Sequence, residues 1–213
     1  MRIDVLTLFP DIFDNLNSFS IIKKAIDSKK VKIKSHNLRE FAENSRKVDD
    51  YPYGGLPGMV IKIEPIDNCI EYLKKKNNYD EIIYLTPDGE LLSQKTSNYL
   101  STLKNIIIIC GHYKGIDHRV REHLVTKEIS IGDFVVSGGE LPAAVLCDSI
   151  VRLLPGIIGD ESSALSDTFQ DNILSPPIYT RPEVYKGMQV PKVLLSGNEK
   201  EIQKWNDEKS IER

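Results

Sequence analysis

The sequence predicts an α/β fold built on a mostly parallel sheet, and three observations carry that expectation. Ile106 to Ile109 is an unbroken aliphatic run. It lacks the alternation of a half-exposed strand and so reads as a strand covered on both faces. Strand-like and helix-like stretches alternate on either side of it, which implies right-handed crossovers. Three strand-like stretches run into loops dense in glycine or proline, and in open sheets of this class ligands lie outside the carboxyl ends of the strands. Here those ends are Leu85-Thr86-Pro87, Gly111-His112-Tyr113 and Val136-Ser137-Gly138-Gly139.

In chain order, Met1 to Phe9 alternates enough apolar residues for a strand, and Pro10 opens a helix-like segment towards Ile26. From Ile21 to Val48 nine basic side chains, Arg46 among them, face only three acidic ones. That segment reads either as a phosphate-binding footprint or as a solvated lysine-rich face. Val48 to Met59 packs three glycines and two prolines behind Asp49 and Asp50, a density that predicts neither strand nor helix. Its two carboxylates suit either guanine donors or Asx turns in a surface loop. Glu64 to Lys76 reads as a helix, Glu81 to Gly89 as a strand, and a polar helical stretch leads to the strand at Asn105. The stretch Ser130 to Pro142, S-I-G-D-F-V-V-S-G-G-E-L-P, joins an apolar strand to a glycine turn and meets a buried helix at Ala143 to Leu154. Its glycines give up side chains where backbone can approach a ligand, and its aliphatic residues can wall a flat ring.

Composition narrows the function classes. A net charge of −3 in 213 residues gives no bulk attraction to nucleic acid, so any such partner is held locally. The amino terminus is interrupted by charge too early for a signal-peptide core, and no apolar run approaches the roughly 18 residues of a membrane span. A cytoplasmic protein with no membrane association is the expectation. Cys69, Cys110 and Cys147 stand apart among aliphatic residues and read as reduced core residues. Neither a dinucleotide fingerprint, a phosphate-cradling P-loop, a zincin helix nor an EF-hand loop occurs, and His36, His112, His118 and His123 have no recognised metal spacing. No metal site is expected from the residues.

Taken together, S-I-G-D-F-V-V-S-G-G-E-L-P, C-G-H-Y-K-G-I-D at Cys110 to Asp117, D-D-Y-P-Y-G-G at Asp49 to Gly55, Y-T-R-P-E at Tyr179 to Glu183 and V-L-L-S-G-N at Val193 to Asn198 closely resemble the bacterial tRNA (guanine-N1)-methyltransferases, the TrmD family of the SPOUT superfamily. The motifs run in order from Met1 to about Trp205. The resemblance implies a SPOUT domain over 1–159 whose carboxy-terminal trefoil knot holds S-adenosylmethionine, a flexible linker over 160–175 and a shortened helical tRNA-binding domain over 176–213. It also implies a homodimer, a tRNA substrate methylated at N1 of guanosine 37, and a dependence on Mg2+.

Residue by residue, Tyr84, Leu85, Thr86, Pro87, Gly111, Tyr113, Ile131, Gly132, Asp133, Phe134, Val135, Val136, Gly138, Gly139 and Pro142 match the family's cofactor loops. Arg152 and Asp167 match its catalytic pair, with Asp167 as general base at guanine N1 and Arg152 holding O6. Arg46, Asp49, Asp50 and Gly58 match positions near the bound tRNA. Three features differ from the family pattern: Lys114 replaces an acid, Leu56 replaces a glycine of the substrate loop, and the chain stops at Arg213. A knotted methyltransferase with another target, and a binding module without turnover, are the competing readings; mass analysis of tRNA separates them.

Overall fold

The computed structural model describes residues 1–43, 47–158 and 175–211, and the chain divides into two units, Met1–Gly159 and Asp160–Arg213. The first is organised on five strands, β1 (Arg2–Thr7), β2 (Lys32–Asn37), β5 (Glu81–Leu91), β6 (Asn105–Cys110) and β7 (Lys127–Ser130). They pair in parallel in the order β2-β1-β6-β5-β7. Ile106 to Ile109 are fully buried, and they alternate between two cores. Ile106 and Ile108 face one core, shared with α1 (Asp11–Asn17), α2 (Ser20–Asp27), α4 (Gln94–Ser101) and α6 (Glu140–Val151). Ile107 and Ile109 face the other, shared with α3 (Ile63–Lys74) and α5 (His118–His123). Helices therefore cover both faces, as the unbroken run requires.

Several local expectations are corrected. The segment after Pro10 is two helices, because Ser18 turns its hydroxyl back to the Asn15 carbonyl and Phe19 is extended. The basic segment contains β2, whose buried positions are Ile33 and His36 rather than a run of aliphatics. Asp49–Asp50 forms a two-residue strand, β3, antiparallel to β4 (Val60–Ile61), so the glycine and proline density breaks only residues 51–59. The third strand ends at Ser130, and 131–139 is loop: Phe134 N–H turns back to the Gly132 carbonyl, and Phe134 and Val135 stand 55% and 83% exposed. Helix α6 begins at Glu140 and is covered on one side only, since Leu141 and Val145 are exposed.

One irregularity departs from a simple open sheet. Ile129 of β7 pairs with Leu85 and again with Glu90, so the register of β5 shifts and residues 86–89 arch against β7. Gly89 makes this close approach, and a Cβ there would lie 2.7 Å from the backbone of Glu128 and Ile129. The second unit is small: a hairpin of β8 (Val184–Tyr185) and β9 (Met188–Gln189), α7 (Lys192–Leu195) and α8 (Glu199–Ile211). Lys186 and Gly187, both with positive φ, form its two-residue turn. None of the unit's side chains among the described residues is fully buried. Among the described residues no helix is long and apolar enough to cross a membrane.

The sheet also carries a buried charge. Asp4 of β1 has no exposed surface and accepts from Arg2, from His36 Nε2 at 2.7 Å and from the Tyr79 hydroxyl at 2.7 Å. Burial pushes its carboxyl up, but the bonds from His36, Arg2 and Tyr79 outweigh burial and hold it below the ordinary 3.8. A depressed carboxyl stabilises the fold above its unfolded value and loses that contribution as pH falls through the folded one. Asp4→Asn is expected to cost about 2–4 kcal/mol at neutral pH, because Arg2 loses its counter-ion and the buried hydrogen bonds of His36 and Tyr79 lose their carboxylate. Denaturation midpoints of variant and parent should begin to converge as pH falls below the ordinary 3.8 and meet only once it has passed the folded carboxyl's own, lower value. Equal stability of the two at pH 7 would refute this role.

Candidate active site

The carboxyl ends of β5, β6 and β7 meet the 131–139 loop and the start of α6 around a cavity of about 300 Å³. The floor is backbone packed against backbone. Gly139 N–H donates to the Gly111 carbonyl at 2.8 Å, Gly138 bridges His112, and a Cβ at Gly139 would sit 2.7 Å from the Cys110 Cα. Only glycine permits that approach, although its φ of −76° is open to any residue. Gly111 is constrained similarly by the Tyr84 hydroxyl, 2.9 Å from where its Cβ would be. Burial raises the Tyr84 phenol, so at neutral pH it is a hydrogen-bonding wall and not an anion.

Of the fifteen positions expected to hold a cofactor, fourteen line this cavity. Tyr84, Leu85, Thr86 and Pro87 come from β5 and the arch, Gly111 and Tyr113 from the turn after β6. Ile131, Gly132, Phe134, Val135 and Val136 come from the long loop, and Gly138, Gly139 and Pro142 from its junction with α6. Asp133 does not line it; it is exposed on the same loop. Residues outside those fifteen that also line it include His112, Lys114 and Ser137. His112 is wedged between Phe9 and Tyr113, with ring centroids 5.1 and 5.0 Å away. Its Nδ1 is buried with no hydrogen-bond partner. Beside it the buried Glu140 accepts from the Thr7 hydroxyl at 2.7 Å, tying the end of β1 to the start of α6.

Of the candidate substrate residues, Gly58 adjoins the cavity through the Lys114 stem, and Asp49 and Asp50 form β3. Asp50 is exposed on β3, and the Tyr51 N–H, then Lys47 at 3.3 Å, hold its carboxyl below the usual range. Between Asp50 and Met59 the loop presents Tyr51 and Tyr53, 79% and 99% exposed. Gly58, with φ of +103°, lies against Lys114: a Cβ there would meet the Lys114 Cγ at 2.8 Å. The Lys114 N–H donates to the Met59 carbonyl and Ile61 N–H to the Gly115 carbonyl, both at 3.0 Å, so loop 51–59 is stitched to the turn after β6. Arg152 caps the carboxyl end of α6. Ten residues of helix separate it from Pro142, about 15 Å along the axis. Arg46 and Asp167 lie outside the described residues. No group of three or more His, Cys, Asp or Glu able to hold a metal occurs among the described residues.

A fastener that the sequence does not signal holds the arch. Arg121 of α5 donates to Glu128 of β7 through Nε at 2.7 Å and Nη2 at 2.6 Å, and to Asp88 of the arch at 2.9 Å. Asp88 in turn accepts from Thr86, and the guanidinium lies 5.7 Å from the Tyr84 ring centroid. The Thr86 hydroxyl, then Arg121, depress the Asp88 carboxyl.

Comparison with known proteins follows the same geometry. The family model for tRNA (Guanine-1)-methyltransferase TrmD matches residues 1–213. A tRNA (guanine-N(1)-)-methyltransferase of Bacteroides fragilis is 56% identical over 214 residues, spanning 100% of this chain and 95% of that protein. One of Christiangramia forsetii has the same identity and coverage. The crystal structure of tRNA (m1G37) methyltransferase from Aquifex aeolicus is 43% identical with a TM-score of 0.81, covering 96% of this chain and 87% of that one.

Arg121→Ala removes the clamp from both partners at once. Amide exchange across 86–91 and 128–130 should quicken by about tenfold, a loss of roughly 1.4 kcal/mol of local stability. Exchange confined to its present rate in the variant would show that backbone pairing alone holds the arch.

Proposed function

The chain belongs to the tRNA (guanine-1)-methyltransferase family TrmD and is a tRNA (guanine-N1)-methyltransferase; from that premise we propose that it methylates guanosine 37 with S-adenosylmethionine held in the cavity at the strand ends. The observation that carries this reading is the convergence of three loops on one cavity with backbone exposed and aliphatic walls. Its donor set suits the cofactor: Leu85, Ile131, Val136 and Pro142 can enclose a flat ring, and loop amides and carbonyls can read its edge. When bound, S-adenosylmethionine supplies a methyl group already activated on a sulfonium.

The chain's own residues then have two tasks. Asp167 takes the proton from guanine N1 as that nitrogen gains its methyl group, and Arg152 holds the negative charge developing on O6. Asp49, Asp50 and Gly58, with Arg46, hold the RNA beside the cavity, where exposed Tyr51 and Tyr53 offer stacking faces to an unpaired base. A base in a single-stranded loop costs least to unstack, which suits the position next to the anticodon. Residues 176–213 act as an RNA-binding module. No Mg2+ site is proposed, because the described residues bring no ligand set together.

We further propose a trefoil knot and a homodimer. The knot is supported by the arch of 86–89 against β7, followed by the return of the chain through 131–139 to Gly111 and into α6. The dimer is supported by the position of Arg152, some 15 Å along α6 from its own cavity, and by exposed Leu141 and Val145 on the same helix. A second subunit brings Arg152 and Asp167 to the cavity and covers that face. The cytoplasm, where tRNA resides, is its proposed location.

Mass analysis of tRNA after incubation with S-adenosylmethionine should place one methyl group on N1 of guanosine 37; unmodified RNA would overturn the assignment. Asp167→Asn should slow single-turnover transfer by about 10² or more and abolish the rise of rate with pH, with cofactor affinity unchanged. Mixing that variant with a Gly139→Val subunit should restore part of the turnover. Mixed dimers that form and stay inactive would contradict the shared site.

A further inference from the structure

Among the described residues, Lys114 is the only Lys, Arg, Asp or Glu whose side chain lines the cavity. Its place is tightly determined. The turn after β6 closes with Gly115 N–H on the His112 carbonyl at 2.9 Å, and Tyr113 takes the left-handed conformation with φ of +59°. The lysine stem then runs over Gly58, with Cγ and Cε 2.8 and 3.3 Å from where a Cβ would be, so glycine at 58 is what leaves room for it. Its ammonium makes no hydrogen bond or ion pair with any described residue. The nearest ordered partners of this turn are backbone groups of the 59–61 strand. At the rim of a cavity with no other Lys, Arg, Asp or Glu among its described lining, this exposed ammonium is placed to receive an anion.

We propose that Lys114 recognises the α-carboxylate of the cofactor's amino-acid moiety. The inference rests on the reading that the cavity holds S-adenosylmethionine. That molecule carries a sulfonium, an ammonium and a single carboxylate, so only the carboxylate is attractive to a lysine, while both cations are repelled. Without Lys114 the cavity offers the carboxylate backbone donors and hydroxyls but no counter-ion. With it, the cavity distinguishes a cofactor bearing an intact amino acid from a bare nucleoside thioether. The lysine also fixes which end of the ligand faces loop 51–59, because its stem lies on Gly58. The contact is formed at an exposed ammonium, so its effect on affinity is modest until bound RNA excludes water.

The test compares two ligands by calorimetry on the full chain: S-adenosylhomocysteine, which keeps the carboxylate, and 5′-methylthioadenosine, which shares the nucleoside and thioether but has no amino acid. Lys114→Gln should weaken S-adenosylhomocysteine by roughly fivefold and leave 5′-methylthioadenosine unchanged. Lys114→Arg should restore most of the loss, and thermal unfolding should be that of the parent in both. Equal affinity of Lys114→Gln and parent for S-adenosylhomocysteine overturns the proposal. So does an equal loss for both ligands, or a change seen only as a shallower salt dependence of tRNA binding, which would assign the lysine to an RNA phosphate. A parent protein that binds neither ligand would instead overturn the cofactor reading on which the proposal rests.

Discussion

The site depends on backbone passing against backbone at the carboxyl edge of the sheet. Gly89 lets the arch of 86–89 lie against the β7 backbone with no room for a Cβ, and Gly139 lets the chain pack onto Cys110 and Gly111 before α6 begins. Side chains at either point would separate segments that are now in van der Waals contact, and the cavity between them would lose its floor. These two close approaches accompany the convergence of three loops on one small volume.

Polar fasteners then fix what the glycines allow. Arg121 joins α5, β7 and the arch through its planar fork, a geometry that lysine could not reproduce with one ammonium. Glu140 and Thr7 join the start of α6 to β1, and the Lys114 turn joins the strand ends to the loop that carries Gly58. Each fastener connects elements distant in sequence, so the cavity's shape is set by tertiary contacts. At the opposite end of β1, Asp4 gathers Arg2, His36 and Tyr79 into a buried charge network that holds the sheet edge to its neighbours.

These facts explain what the sequence could and could not reveal. The central strand was legible because four consecutive isoleucines admit only burial on both faces, and the strand-end loops were legible because glycine and proline punctuate them. Strand β2 was not: Lys32 and Lys34 make it look like a solvated face, and one of its buried positions is His36, which is satisfied only by Asp4. Arg121 carried no local signal, since Asp88 lies 33 residues away and its guanidinium looks like any other on a polar helix. Periodicity carries no information about a register shift such as that between Leu85 and Glu90, which nothing in the sequence signals. Arg152 was named by resemblance, since a place at the carboxyl end of α6 marks a helix cap as readily as a functional residue.

The central claim is that three strand-end loops form one cofactor site. Amide hydrogen exchange of the unmodified protein, with and without saturating S-adenosylmethionine, tests it most directly. The account predicts that 84–87, 111–115 and 131–139 gain protection together, at one ligand concentration. Protection confined to a single loop, or lying elsewhere while the ligand is bound, would contradict it.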